Sequence, residues 1–184
     1  MGTLGPVTDR PPVAELIAEL AERLGVPRFV AVCTELMAGA EREEYVDELR
    51  ALTGHDWHPG DGVFDRSSWH DYWVRTWGAR GLLHVWDESA TDAVVHGLAD
   101  EHWRPAEMCL KVAARHDVAG AGDGAAALAD HELPRVRAQA MRALAVTGDR
   151  EHLDAVRDRL DDEDVEVRKQ AARALDALER RLDL

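Results

Sequence analysis

Trp69, Trp73 and Trp77 stand four residues apart and are followed by Arg80 and His84. At helical spacing this set lies on one flank, where indole faces offer stacking and cation–π contact. A basic series recurs alongside: Arg80, Lys111, Arg142 and Arg173 are spaced by 31 residues. Helical phase adds Arg104, Met108 and Arg115 in the second copy and Arg135 with Gln139 in the third, all facing away from the core. Aromatic, cationic and thioether groups in this pattern bind ligands; they do not make or break bonds.

The other chemistry-bearing residues give weaker patterns. His55 and His58, with Asp56 and Asp61, fall in a glycine-containing stretch without a second ligand cluster. His70 and Asp71 are adjacent, so on a helix their side chains diverge. The run Asp161-Asp162-Glu163-Asp164 precedes Val165, where acids favour a helix N-terminus. Cys33 and Cys109 are too few for a disulfide framework or a four-cysteine zinc site. There is no glycine-rich phosphate loop, nucleophile elbow or cysteine–histidine pair. The expectation is a chain without catalytic residues, bound metal or cofactor.

The elements that carry these residues follow from the repeat. Val74-Arg75, Val136-Arg137 and Val167-Arg168 lie at multiples of 31. Each is followed by a small residue (Gly78, Ala140, Ala171) and then by a leucine (Leu82, Leu144, Leu175). A degenerate copy spans 105–113, with Ala106 in the arginine position and Cys109 in the small one. A fixed period of this length marks a solenoid whose units bury their apolar faces against their neighbours. Long helices are expected at about 68–86, 103–115, 134–147 and 165–182, with Ser68 and Asp71 as a capping box for the first. Shorter partners are expected at about 90–99, 122–129 and 150–160. Ahead of the array, apolar periodicity predicts helices over about 12–24, 27–38 and 41–52, then a loop from 53 to 67. Residues 1–10 read as a frayed end. The division is thus an N-terminal helical cap and loop, 1–67, and a repeat array, 68–184.

The repeated residues resemble HEAT repeats, whose signature is a turn acid followed by Val-Arg and then small and leucine positions. Asp162 stands six residues before Arg168 and Asp100 six before Ala106. Asp130 is seven before Arg137, a slip of one, and Trp69 occupies the first copy's acid position. The resemblance implies an all-α superhelix in which turn carboxylates pair with Arg75, Arg137 and Arg168. It also implies that the long helices line a concave groove, with tryptophans at one end and the basic row at a pitch of about 8–10 Å. The chain is most similar to short HEAT-repeat proteins of GC-rich bacteria.

With 46% hydrophobic and 32% charged residues, the 184-residue chain has the composition of a folded protein. A net charge of −14 opposes indiscriminate binding to nucleic acid or membrane, and the absence of a long apolar run predicts a cytoplasmic protein. The leading functional expectation is a non-enzymatic adaptor that holds an acidic peptide or protein through Trp69, Trp73, Trp77, Arg80, His84, Arg104, Met108, Lys111, Arg115, Arg135, Arg142 and Arg173. The alternatives are binding of nucleic acid, including a damaged base as in HEAT-like DNA glycosylases, and a small-molecule-binding biosynthetic accessory protein or enzyme. Glu107 and Glu166 are the acids placed to neutralise the basic row. Three exposed indoles of about 150–250 Å² each make a patch that something must cover, either the N-terminal segment or a ligand.

Overall fold

The computed structural model describes residues 11–67 and 69–184. The expected frayed end at 1–10, and Ser68 of the expected capping box, lie outside them. Ten α-helices and no strand occur among the described residues: α1 (Val13–Leu24), α2 (Val26–Met37), α3 (Val46–Thr53), α4 (Asp71–His84), α5 (Thr91–Gly97), α6 (Trp103–His116), α7 (Ala121–Ala127), α8 (Pro134–Thr147), α9 (Leu153–Arg157) and α10 (Val165–Arg181). The chain is an all-α solenoid. Among the described residues, no helix is long and apolar enough to cross a membrane.

The boundaries differ most from the periodic expectation in two places. The helix expected over 41–52 begins as a 3-10 turn, Arg42–Tyr45, because Tyr45 (φ −122°, ψ 32°) breaks the helical path before Val46. Arg42 turns inward there; its guanidinium donates to the Val63 carbonyl at 2.7 Å and pairs with Asp71. The helix expected over 150–160 is α-helical only at Leu153–Arg157, between 3-10 turns at Arg150–His152 and Asp158–Asp161.

The long helices α4, α6, α8 and α10 stack side by side, and α2 extends the row beyond α4. One continuous core runs from Ile17 to Leu178. The small repeat positions are its closest approaches: Gly78, Cys109, Ala140 and Ala171 are all buried. At Gly78 a Cβ would lie 2.6 Å from the Cys33 carbonyl, and at Gly81 2.4 Å from Cys33 Sγ. Both glycines therefore set how closely α2 packs on α4. Both cysteines are free and buried, and loss of solvation pushes their thiols up, Cys109 to about 12.

The arginine ladder is present, but its carboxylates come from the opposite direction. Each paired arginine reaches forward 25 residues to the turn of the next unit, not back to its own. Arg75 grips Asp100 at 2.6 and 2.9 Å, and Arg137 grips Asp162 at 2.8 Å through both nitrogens. Arg168, on α10, is exposed and donates to the carbonyls of Asp162 and Glu163. Replacing Arg168 with alanine should therefore shift stability by no more than about 1 kcal/mol in thermal or denaturant unfolding.

The one-residue slip at Asp130 also resolves. The slot opposite Ala106, 25 residues on, holds His131. Its Nδ1 accepts from the Leu133 N–H, just as Asp100 and Asp162 accept from the N–H groups of His102 and Asp164. Asp130 instead points to Arg159 at 3.1 Å. The acidic run before α10 is likewise structural: Asp162 serves the ladder, and Asp164 caps α10 by accepting from the N–H groups of Glu166 and Val167.

Candidate functional site

The residues expected on the outward flank are carried by α4, α6, α8 and α10, with Trp69 just ahead of α4, and they differ in how free they are. Trp77 is the main correction. Helical phase points it away from the core, yet it is 6% exposed. The cover comes from the loop: Trp57 packs edge-on against Trp69 (5.9 Å between ring centroids) and tilted against Trp77 (6.3 Å). Thr53 fixes Trp57 by accepting from its indole N–H at 2.9 Å. Arg80 lies under the same cover, half-buried, with its guanidinium 3.4 Å from the Leu52 carbonyl. Burial lowers its pKa, although a guanidinium stays charged. The N-terminal segment thus fills this end of the face, and Trp77 belongs to the core.

Beyond that cover the face is a ladder of alternating rings and cations. Trp73 stacks on Trp77 with centroids 6.2 Å apart. The Arg104 guanidinium lies 4.7 Å from the Trp73 ring and 4.3 Å from Trp103, with Tyr72 at 5.7 Å. The Arg135 guanidinium also lies over Trp103, at 4.8 Å. Tyr72 and His102 stack in parallel at 3.6 Å. The His102 ring also accepts from the Arg104 N–H, and burial, with Arg104 nearby, lowers its pKa. Each cation–π contact contributes about 0.5–2 kcal/mol depending on solvent access.

Along the next helices, acids engage two of the four members of the basic row, Lys111 and Arg142. Glu107 accepts from Arg135 at 2.9 Å and meets Lys111 at 3.2 Å. Arg142 donates to Gln139 and to Glu166 at 2.8 Å. A hydrogen bond from Gln170, with Lys169 and Arg142 nearby, holds the Glu166 carboxyl below the ordinary range. The basic stripe expected from the sequence is therefore interrupted by ion pairs at Lys111 and Arg142. Arg104, Arg115 and Arg173 stand without a carboxylate partner among the described residues. Met108 is half-buried against the core, and His84 is exposed, its pKa lowered by partial burial and by Arg115 and Arg80.

Trp57, Tyr72, His102 and Trp103 were not singled out by phase. The signal for two of them is in the repeat: Tyr72, Trp103, Pro134 and Val165 form a column at the 31-residue spacing, one position before Trp73, Arg104, Arg135 and Glu166. The histidine-containing loop places His58 3.9 Å from Asp56 and 4.0 Å from Asp61, all near the surface. Among the described residues no three His, Cys, Asp or Glu side chains are placed to hold one metal ion.

Comparison with known proteins bears on the architecture. Residues 124–182 match the family model described as HEAT repeats. A crystal structure of an engineered protein, from a structural-genomics consortium, superposes with a TM-score of 0.51 at 17% identity. That alignment covers 93% of this chain and 85% of the engineered one, and at this identity it speaks to the fold alone. A search of curated proteins found no match. HEAT repeats in general serve as protein-interaction scaffolds. Residues 124–182 thus match HEAT repeats, and the stacked helix pairs with the Arg75–Asp100 pair continue the same architecture ahead of that segment.

Proposed function

We propose that the protein is a small, non-enzymatic adaptor that holds an acidic peptide or protein segment across the outward face of α4, α6 and α8. Residues up to 67 act as the cap that closes one end of the array starting at 68. The observation that carries this reading is Arg104. Its guanidinium is clamped between two indoles and has no carboxylate partner among the described residues, so its N–H fork is held in place with donors to spare. Clamping removes much of the side-chain entropy that binding otherwise costs, and a fixed fork suits a carboxylate. Trp73 and Trp103 supply the apolar flanks, and exposed Arg173 extends the positive surface, with Arg135 added when it leaves Glu107. Lys111 and Arg142 contribute less, because Glu107 and Glu166 already engage them.

The test is titration of a glutamate-rich peptide against the wild type and Arg104→Gln. Loss of one charge-assisted contact should weaken binding about tenfold or more, near 1.5 kcal/mol. The helical circular dichroism should be unchanged. Equal affinity in the two proteins would refute the role of Arg104. Retention of duplex DNA in place of the peptide, with a log–log salt slope of about −0.9 per neutralised phosphate, would replace this reading with nucleic-acid binding.

A further inference from the structure

We infer that the α6/α8 junction is the flexing point of the array, and that an acidic ligand opens it by competing with Glu107 for Arg135. The ligand half of this inference rests on the function proposed above; the location of the flexing point does not.

The three junctions between long helices are not built alike. At α4/α6 the Arg75–Asp100 pair ties one unit to the next, and at α8/α10 the Arg137–Asp162 pair does so with both partners buried. At α6/α8 both partners are replaced together, by Ala106 and His131. His131 keeps the local task of the lost aspartate, accepting the Leu133 N–H, so the turn keeps its form while the cross-link disappears. The short helix of the same unit, α7, carries Gly122 and Gly124 within seven residues, and glycine is a poor helix former.

Among the described residues, the one ion pair left between α6 and α8 is Arg135 with Glu107, and the same Arg135 also lies over Trp103. This link sits on the outward face. The Arg135 side chain is 59% exposed and open to a ligand, whereas that of Glu107 is 10% exposed. A carboxylate arriving at Arg135 therefore meets the group that fastens this junction. When Arg135 turns to the ligand, Glu107 keeps Lys111, its neighbour on the same helix, so its charge stays compensated while the inter-helix tie is released. Binding and flexure thus draw on one ion pair, so ligand occupancy shifts the junction between closed and open forms.

Hydrogen exchange read by mass spectrometry on the full chain tests both halves. In the free protein Arg135→Gln should speed exchange of the α7 amides and the facing turns of α6 and α8 by about tenfold, leaving α4 and α10 unchanged. Ala106→Arg combined with His131→Asp restores the missing pair and should slow exchange in that region. Should the buried arginine prevent folding, Arg135→Gln still decides the location. Unchanged exchange in Arg135→Gln overturns the flexing point. Addition of a glutamate-rich peptide should raise exchange at α6/α8 in the wild type and have no further effect in Arg135→Gln. A peptide that binds without raising exchange overturns the coupling and leaves the adaptor reading intact. A peptide that fails to bind overturns both the adaptor reading and the coupling, with the flexing point still decided by the free protein.

Discussion

Replacing Arg137 with alanine should destabilise the fold by about 3–5 kcal/mol, the largest single effect expected among the charged residues. The reason is what the substitution leaves behind. The side chains of Arg137 and Asp162 are 7% and 2% exposed, and the guanidinium also satisfies the carbonyls of His131 and Glu132. Without it, Asp162 remains buried with the Asp164 N–H and a more distant Arg159 at 3.6 Å. Arg75→Ala should cost less, because that pair is more exposed (19% and 9%) and Asp100 can draw on solvent.

The same pair sets a pH dependence. Hydrogen bonds from Arg137 hold the Asp162 carboxyl below the ordinary aspartate range. A carboxylate with a depressed folded-state pKa stabilises the fold above its unfolded value of about 3.9, and that stability is lost as pH falls through the lower folded value. Wild-type stability should therefore decline below about pH 4, and Arg137→Ala should show a shallower decline. Denaturant unfolding at pH 7 and pH 3 measures both. A cost under about 1 kcal/mol at pH 7 would mean that the ladder is not what ties the α8 and α10 units together.

The second large effect concerns Trp77. As a core residue beneath Trp57, it should cost about 3–5 kcal/mol when replaced with alanine. Trp73→Ala should cost less, since Trp73 is half-buried and one of its faces meets Arg104 rather than the core. Trp57→Ala uncovers this end of the face: Trp77 then meets water, and its fluorescence should shift to the red. Thermal unfolding with tryptophan emission reads both outcomes. Near-native stability in Trp77→Ala would contradict its assignment to the core and return it to the open face.

The contrast between Trp77 and Trp73 shows where sequence reasoning reached and where it stopped. The 31-residue spacing carried the helix pairs, the small positions Gly78, Ala140 and Ala171, and the shared flank of Arg104 and Arg135, because one helix repeats its geometry in the next. Phase within a helix cannot reveal what another segment lays over it. Trp57 comes from a stretch without periodicity, so the burial of Trp77 left no mark in the pattern. Ladder pairing escaped for a related reason. An aspartate six residues before an arginine is closer in sequence, but superhelical stacking brings the next unit's turn alongside, 25 residues ahead. His131 was masked by Asp130, an acid one position early that pairs elsewhere. The neutralising acids were visible in outline, since Glu107 and Glu166 share the outward flank, but whether they would engage the basic row depended on distances between helices.

The central claim is that the protein binds acidic segments on the ring-and-cation ladder built around Arg104. Two-dimensional NMR of the indole and arginine side-chain N–H groups during titration with a glutamate-rich peptide tests this most directly. The account predicts progressive shifts of Arg104, Arg135, Trp73 and Trp103, with the Trp77 signal unmoved beneath the cap. Saturable shifts clustered instead around Arg75 and Asp100, or no shift on the ladder at peptide concentrations that saturate binding, would contradict it.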